Sequence, residues 1–236
     1  MPNWCTVIIK AKTKENFLKI KELLLNNGKV DFNKIIPMPK ELDILCQSGL
    51  KDFSIKQQRE IKEKANEQYN NKISQEKFLQ NTLKELKKDE EIKSIIEDKN
   101  QMFMDKNMAE EYIKGIFNEK RYGYKNWYEW GIKNWGTKWN ASETVINENK
   151  MLIAFDTAWT PPKPILEKIA KQAEFRVYIS EESGSYDKIM ETKNKKLILV
   201  KELSIKSTGE EIKRVEKEFN YLSFLLNQRL EDSKEN

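Results

Sequence analysis

The six prolines stand at positions 2, 37, 39, 161, 162 and 164, so residues 40–160 run without one. Proline removes a backbone donor and breaks helix interiors. Its absence therefore leaves the middle of the chain open to long helices and concentrates the rigid turns at two distant places. Within 41–120 the composition is rich in Lys, Glu, Gln and Asn. Ile61, Ala65, Tyr69 and Ile73 recur every four residues, and Leu79, Leu83 and Leu86 follow at four and then three. This is the narrow apolar stripe of amphipathic helices, and the segment reads as a charged α-helical insertion.

The flanks carry strand patterns. Thr6–Ala11 is β-branched and bounded by polar residues, and reads as a strand. Lys12–Asn27 reads as a helix with Phe17, Ile20, Leu23 and Leu24 on one face, stopped by Asn26-Asn27-Gly28. Lys29–Ile36 returns to a strand pattern through Val30, Phe32 and Ile35, and completes a first βαβ half. The second half comes more than a hundred residues later. Glu143–Phe155 reads as a strand or hairpin turning at Asn147-Glu148-Asn149, with the apolar run Met151–Phe155 in a central position. The prolines at 161, 162 and 164 lead into a helix ending near Ala173. Glu174–Ser180 is a strand, and Tyr186–Thr192 with Leu197–Leu203 a further hairpin. At the C-terminus Ser207–Glu211 offers a capping box. Ile212, Val215, Phe219, Leu222 and Leu226 then follow at heptad spacing. The expected docking of this helix is onto the chain's own insertion, with a homodimer through 207–230 as the alternative. The expected organisation is a core of 1–40 plus 121–204, an insertion of 41–120 and an amphipathic helix in 205–236.

Composition restricts the chemistry. The 236 residues include no histidine, which removes imidazole bases, Ser-His-Asp systems and His-containing zinc sites. The two cysteines, Cys5 and Cys46, cannot build a Cys₄ site or a disulfide framework, and read as reduced thiols of a cytoplasmic protein. No apolar run is long enough to span a membrane, and the N-terminus lacks the pattern of a signal peptide. Hydrophobic residues make up 38% and charged residues 34%, against about 45–50% and about 25% in ordinary globular domains. The chain therefore buries a modest core and carries solvated, charged helices. Net charge is +5, and only five of 43 basic residues are arginine. That scarcity argues against bidentate readout of nucleic-acid bases, although an AT-rich genome would produce it equally.

The most informative stretch is Tyr122–Trp139, YGYKNWYEWGIKNWGTKW, which holds four of the six tryptophans; a fifth is Trp159. Asn126-Trp127 and Asn134-Trp135 read as helix caps or turns. Five pieces of sequence, Asn3-Trp4-Cys5 after Pro2, Asp31–Pro39, Asn126–Trp130, Asn134–Trp139 and Phe155–Pro162, together resemble the YubB ferredoxin-like family. The resemblance covers roughly 1–40 and 122–190. It implies an α+β, ferredoxin-like βαββαβ fold, and an accessory protein carried by phages, plasmids and prophages. It implies no established activity and no iron–sulfur cluster, which two cysteines cannot hold.

Three functions follow as expectations. The first is a non-enzymatic protein that binds a host or mobile-element protein, such as an inhibitor of a host defence complex of the CRISPR-effector kind. Trp127, Tyr128, Trp130, Asn134, Trp135, Lys138 and Trp139 would face the partner, since aromatics concentrate at binding hot spots. Asn3, Trp4, Cys5, Trp159, Pro161 and Pro162 would be structural, with Trp4, Cys5 and Trp159 packed beside strands. Lys138 would make a polar contact or lie over a tryptophan face. The second function is single-stranded nucleic-acid binding by base stacking on the sheet, for which the strands offer only Phe175 and Tyr178. The third is a metal-dependent nuclease using Glu129, Asp156, Glu181, Glu182 or Asp187, with the loop Glu181–Gly184 as its centre. No cofactor motif is present.

Overall fold

The computed structural model describes residues 3–45, 54–97, 105–181, 187–203 and 209–219. In chain order the elements are β1 (Trp4–Ala11), α1 (Lys14–Leu24), β2 (Leu25–Asn26), β3 (Lys29–Val30), α2 (Ile55–Gln68) and α3 (Gln75–Leu86). Next come α4 (Glu90–Glu97), α5 (Asp105–Tyr122), α6 (Trp127–Asn134), β4 (Ser142–Asn147), β5 (Leu152–Ala158) and α7 (Lys163–Ala170). The last are β6 (Phe175–Glu181), β7 (Asp187–Lys193), β8 (Lys196–Leu203) and α8 (Gly209–Phe219). They form two compact units, 1–37 with 131–236, and 38–130.

In the first unit, β1 is buried continuously from Cys5 to Ile9, and β5 along its whole length. Strands covered on both faces belong in the middle of a sheet, and the order is β4-β5-β1-β6-β7-β8, every pair antiparallel. Val7 lies opposite Phe155 and Ile179, and Ile8 opposite Ala154 and Tyr178. With α1 after β1 and α7 after β5, the four strands β4-β5-β1-β6 make the βαββαβ arrangement of a ferredoxin-like domain. The hairpin β7–β8 extends it. The connection from α1 to β4 carries the whole 38–130 unit.

Three expectations change here. Lys29–Ile36 is not the second strand of the fold. Only Lys29–Val30 is extended, and Asp31 then caps a 3₁₀ turn over Phe32–Lys34 by accepting from the Asn33 N–H. The spacing Val30, Phe32, Ile35 turns from two to three at that cap. The second strand is β4. Asn27-Gly28 is also more than a helix stop. Both residues have positive φ, 49° and 79°, and they join β2 to β3, as two-residue hairpin turns of the primed type require.

The third change concerns α8. Val215 and Phe219 are buried with Ile8, Leu152, Ala154, Tyr178 and Ile189, so the helix lies on the sheet rather than on the insertion. The Phe219 ring sits 5.7 Å from that of Tyr178, Lys10 Nζ donates to the Glu218 carbonyl at 3.2 Å, and Arg176 pairs with the Glu218 carboxylate. Among the described seam residues, Val215 and Phe219 are thus covered within the chain. Leu222, Leu226 and the proposed capping residues Ser207 and Thr208 lie outside the described residues.

The second unit packs α2–α5 around Ile61, Ala65, Phe78, Leu79, Leu83, Leu86, Ile92, Ile96, Ala109, Ile113, Ile116 and Phe117. A reciprocal capping box between Ser54 and Gln57 starts α2, and Ser74 caps α3. At one end the buried Asn118 side chain donates to the carbonyls of Glu41 and Lys125 at 2.8 and 3.0 Å, and accepts from Gln75 at 2.8 Å. A buried amide is stable only when satisfied in this way. No described helix is long and apolar enough to cross a membrane.

Candidate partner-binding surface

The tryptophan-rich segment begins with a cap. Asn126 Oδ1 accepts from the backbone N–H groups of Tyr128 and Glu129 at 3.0 and 3.2 Å, an N-cap for α6. The helix ends on Gly136, whose φ of 83° closes its last turn with an N–H bond to the Gly131 carbonyl. Gly136 then meets the proline-rich segment before α7. Thr137 Oγ donates to the Ala158 carbonyl at 2.8 Å, and Thr160 Oγ to the Gly136 carbonyl at 2.6 Å. Thr157 Oγ lies 2.9 Å from the Thr160 carbonyl and 3.2 Å from that of Cys5, either of which can accept its single proton. Asn140 and Trp135 tie the same segment to the turn after β3. Asn140 Oδ1 accepts from the Phe32 N–H at 2.9 Å, and its Nδ2 donates to Asp31 at 2.8 Å. Trp135 Nε1 donates to the Ile36 carbonyl at 2.9 Å. The rings of Trp135, Phe32 and Phe155 run edge to face at 5.9 and 5.8 Å. The pieces DFNKII, NWGTKW and TAWTPP are thus one interlocked joint.

This joint sorts the tryptophans. Trp130 and Trp135 are buried, which corrects the expectation that they face a partner; the Trp135 indole N–H is already engaged inside the core. Trp127 is half-buried, edge to face with Tyr128 at 5.8 Å. Asn134 is half-buried at the end of α6. Trp139 and Trp159 stand out, 37% and 55% exposed. Trp159, expected beside a strand in the core, is therefore a surface residue. Half-buried Trp4 lies 6.4 Å from Trp139 at a 47° tilt. Lys138 Nζ sits 4.5 Å over the Trp139 ring, a cation–π distance. At the rim Asn3 donates to Glu181 at 3.0 Å, and its carbonyl accepts from the Trp159 N–H at 2.9 Å. Pro162 is buried and Pro161 half-buried beneath.

Trp159 also has a φ of 72°. A bulky L-residue in the left-handed region is an outlier costing about 1–3 kcal/mol. Bonds from Trp159 to Asn3 and from Thr160 N–H to the Ala158 carbonyl at 2.9 Å hold it there. No pattern in the sequence signals this, because exposure and φ are set by the joint and not by local spacing.

Among the described residues the other candidate chemistries are not assembled. Cys5 is fully buried. Burial pushes its thiol up to about 12, against a hydrogen bond with Thr157 and reinforced by the negative charges of Asp156, Glu181 and Asp187. It is a thiol at neutral pH and not a nucleophile. Glu129 accepts from the Lys125 N–H, Asp156 from Thr6 at 2.7 Å, and Asp187 from Tyr178 at 3.0 Å. Among the described residues no group of three or more acidic or thiol side chains is arranged to hold a metal ion. Cys46 and the loop residues Glu182, Ser183 and Gly184 lie outside the described residues. Phe175 and Tyr178, the two aromatics available for base stacking, are both buried.

Asp31 offers a direct check on the joint. Partial burial raises its pKa, but the hydrogen bonds from Asn140, Asn26 and Asn33 outweigh this and hold it below the usual carboxylate range. A depressed folded-state pKa contributes stability above the unfolded value of about 3.9, which is lost as pH falls through the lower folded value. Asp31→Asn is expected to destabilise the protein at neutral pH by a margin that shrinks below about pH 4. Thermal unfolding between pH 7 and 3 measures it; a margin constant with pH would contradict the assignment.

The fold and the joint define an α+β protein built on a ferredoxin-like core. Comparison agrees: residues 134–220 match the model of the family described as the ferredoxin-like domain in Api92-like proteins. Among solved structures, the crystal structure of protein api92 from Yersinia pseudotuberculosis aligns over 88% of this chain and 100% of that one, at 9% identity and a TM-score of 0.43. No curated protein matches the sequence.

Proposed function

We propose that this is a non-enzymatic binding protein that engages a protein partner through Trp139, Trp159 and Lys138, with Trp4 supporting them. The observation that carries the reading is Trp159, a large apolar side chain kept at positive φ and in solvent. Neither property favours folding, and strain of this kind collects at functional positions. A partner that covers the two indoles would gain rigid aromatic area at low entropic cost, as at protein hot spots. The covering of Tyr178 by Phe219 and the scarcity of arginine favour a protein over a single-stranded nucleic acid. The motif resemblance to the YubB family supports an origin in a mobile element, and with it the inhibition of a host defence complex such as a CRISPR effector.

The test is affinity purification of the tagged chain from its host, with nuclease treatment. A stoichiometric protein partner is expected to survive nuclease. Trp159→Gly, which relieves the backbone strain, is expected to leave the melting temperature unchanged or raised while weakening that partner at least tenfold. Trp139→Ala is expected to act likewise on binding. Undiminished binding by both variants, or recovery of nucleic acid alone, would overturn the reading. The defence-inhibitor part is checked separately, by plasmid transformation into cells with an active CRISPR effector, with and without the protein.

A further inference from the structure

Lys193 and Lys196 stand directly opposite each other where β7 turns into β8. Like charges so placed destabilise a sheet. The two residues between them, Asn194 and Lys195, have φ of 51° and 60°, a two-residue turn of the primed type. Its second position favours glycine, and a lysine there is strained. All four residues are exposed. A second like-charged pair is treated differently. Lys10 lies opposite Arg176 between β1 and β6, but Glu218 sits on both. Its carbonyl accepts from Lys10 Nζ at 3.2 Å, and its carboxylate pairs with Arg176. At the hairpin, Lys12 Nζ donates to the Thr192 carbonyl at 3.2 Å and lies 3.6 Å from Glu174. Among the described residues, Lys193, Lys195 and Lys196 have no carboxylate partner. Neither has exposed Lys171, which ends α7. The turn from α7 brings it to the same end of the sheet, where the Phe175 N–H donates to Thr192 Oγ at 2.9 Å.

We infer that this end of the sheet binds the phosphate backbone of double-stranded nucleic acid, on a surface separate from the tryptophans. It lies at the end of β1 away from Trp4. A phosphate between Lys193 and Lys196 does what Glu218 does for Lys10 and Arg176, and turns a repulsive pair into a binding one. A duplex carries one charge for about every 1.7 Å of its axis, so neighbouring phosphates reach Lys195 and Lys171 as well. Lysine meets phosphate as a point charge and reads no base, which accords with the few arginines of the chain. The chemistry of the surface selects this ligand. Within 171–174 and 193–196 no apolar or aromatic side chain is exposed. A single strand would need aromatic rings to stack its bases. A bilayer would need apolar side chains to enter it, and a protein partner an apolar centre. Contact through charge alone suits a duplex backbone.

The test is fluorescence anisotropy of the full chain with a labelled duplex of about 20 base pairs, in two unrelated sequences, over roughly 50–200 mM salt. Both sequences are expected to bind alike. Affinity is expected to fall with salt at a log–log slope of about −3 to −4, as four lysine–phosphate contacts require. Lys195→Gly relieves the turn. It is expected to reduce the slope by about 1 while the melting temperature stays unchanged or rises. Lys193→Gln with Lys196→Gln is expected to reduce the slope by about 2. Lys77→Gln, at an exposed lysine of α3, is expected to change nothing. Absence of binding at the lowest salt, a slope indifferent to the hairpin variants, or an equal loss from Lys77→Gln would each overturn the inference. So would binding to phosphatidylserine vesicles without binding to the duplex.

Discussion

Gly136→Ala is expected to destabilise the sheet unit by about 3 kcal/mol, roughly a 10 °C fall in its melting temperature. Two costs add. The residue sits at φ 83° as the glycine that ends α6, a conformation that costs an L-residue about 1 kcal/mol or more. A Cβ built there also falls 2.7 Å from Pro164 Cδ, 3.3 Å from the Lys163 nitrogen and 3.4 Å from the Pro161 carbonyl oxygen. None of these atoms is the free end of a flexible side chain, so the joint itself must open. Gly28→Ala separates the two costs. Gly28 has a φ of 79° and nothing within 4 Å of its Cβ position, and only the backbone cost is expected. Calorimetry of both variants decides the matter; equal shifts would mean that the packing of Gly136 against the prolines contributes nothing.

Phe117→Ala is expected to lower the stability of the 38–130 unit by about 4 kcal/mol, and its melting temperature by roughly 20 °C. The ring is 1% exposed. It packs 5.3 Å from Phe78 and 5.7 Å from Tyr69, with the Arg121 guanidinium 5.8 Å over its face. Truncation removes the centre of that aromatic triad and leaves a cavity in the core of α2–α5. Phe117→Leu refills most of the volume and is expected to recover about half the loss. A fall below about 5 °C for the alanine variant would place Phe117 outside the core.

The fold was legible where periodicity and burial coincide. Thr6–Ala11 reads as a strand from its β-branched run and Met151–Phe155 as a central one from its apolar run, and they fall in β1 and β5. The insertion was legible from its stripe, since Ile61, Ala65, Leu79, Leu83 and Leu86 are all core residues. Lys29–Ile36 was misleading, because Asp31 interrupts an alternating pattern with a cap that only its side-chain bond reveals; β4, the actual second strand, was legible as the first arm of the Glu143–Phe155 hairpin. Asn118 left no signal at all; one asparagine in a polar helix reads like any other until its three partners are in place. The tryptophans show the limit most clearly. Trp135 and Trp139 are four apart in the same segment, yet one donates its indole N–H inside the core while the other carries a lysine over its open face. For Trp135 that choice is made by Phe32 and Ile36, residues distant in sequence.

Placing a whole helical unit between α1 and β4 has a consequence for synthesis. β1 leaves the ribosome first, but both strands that flank it, β5 and β6, lie some 140 residues or more behind. At about 5–20 residues per second, an apolar strand waits for roughly ten to thirty seconds before its ladder can form. During that wait the 38–130 unit, whose apolar core is drawn from α2–α5, has been synthesised and is free to fold. The nascent chain therefore carries a helical unit able to fold while a strand is still unpaired, and it is β1, buried without a break from Cys5 to Ile9 in the mature protein, that is longest in need of protection.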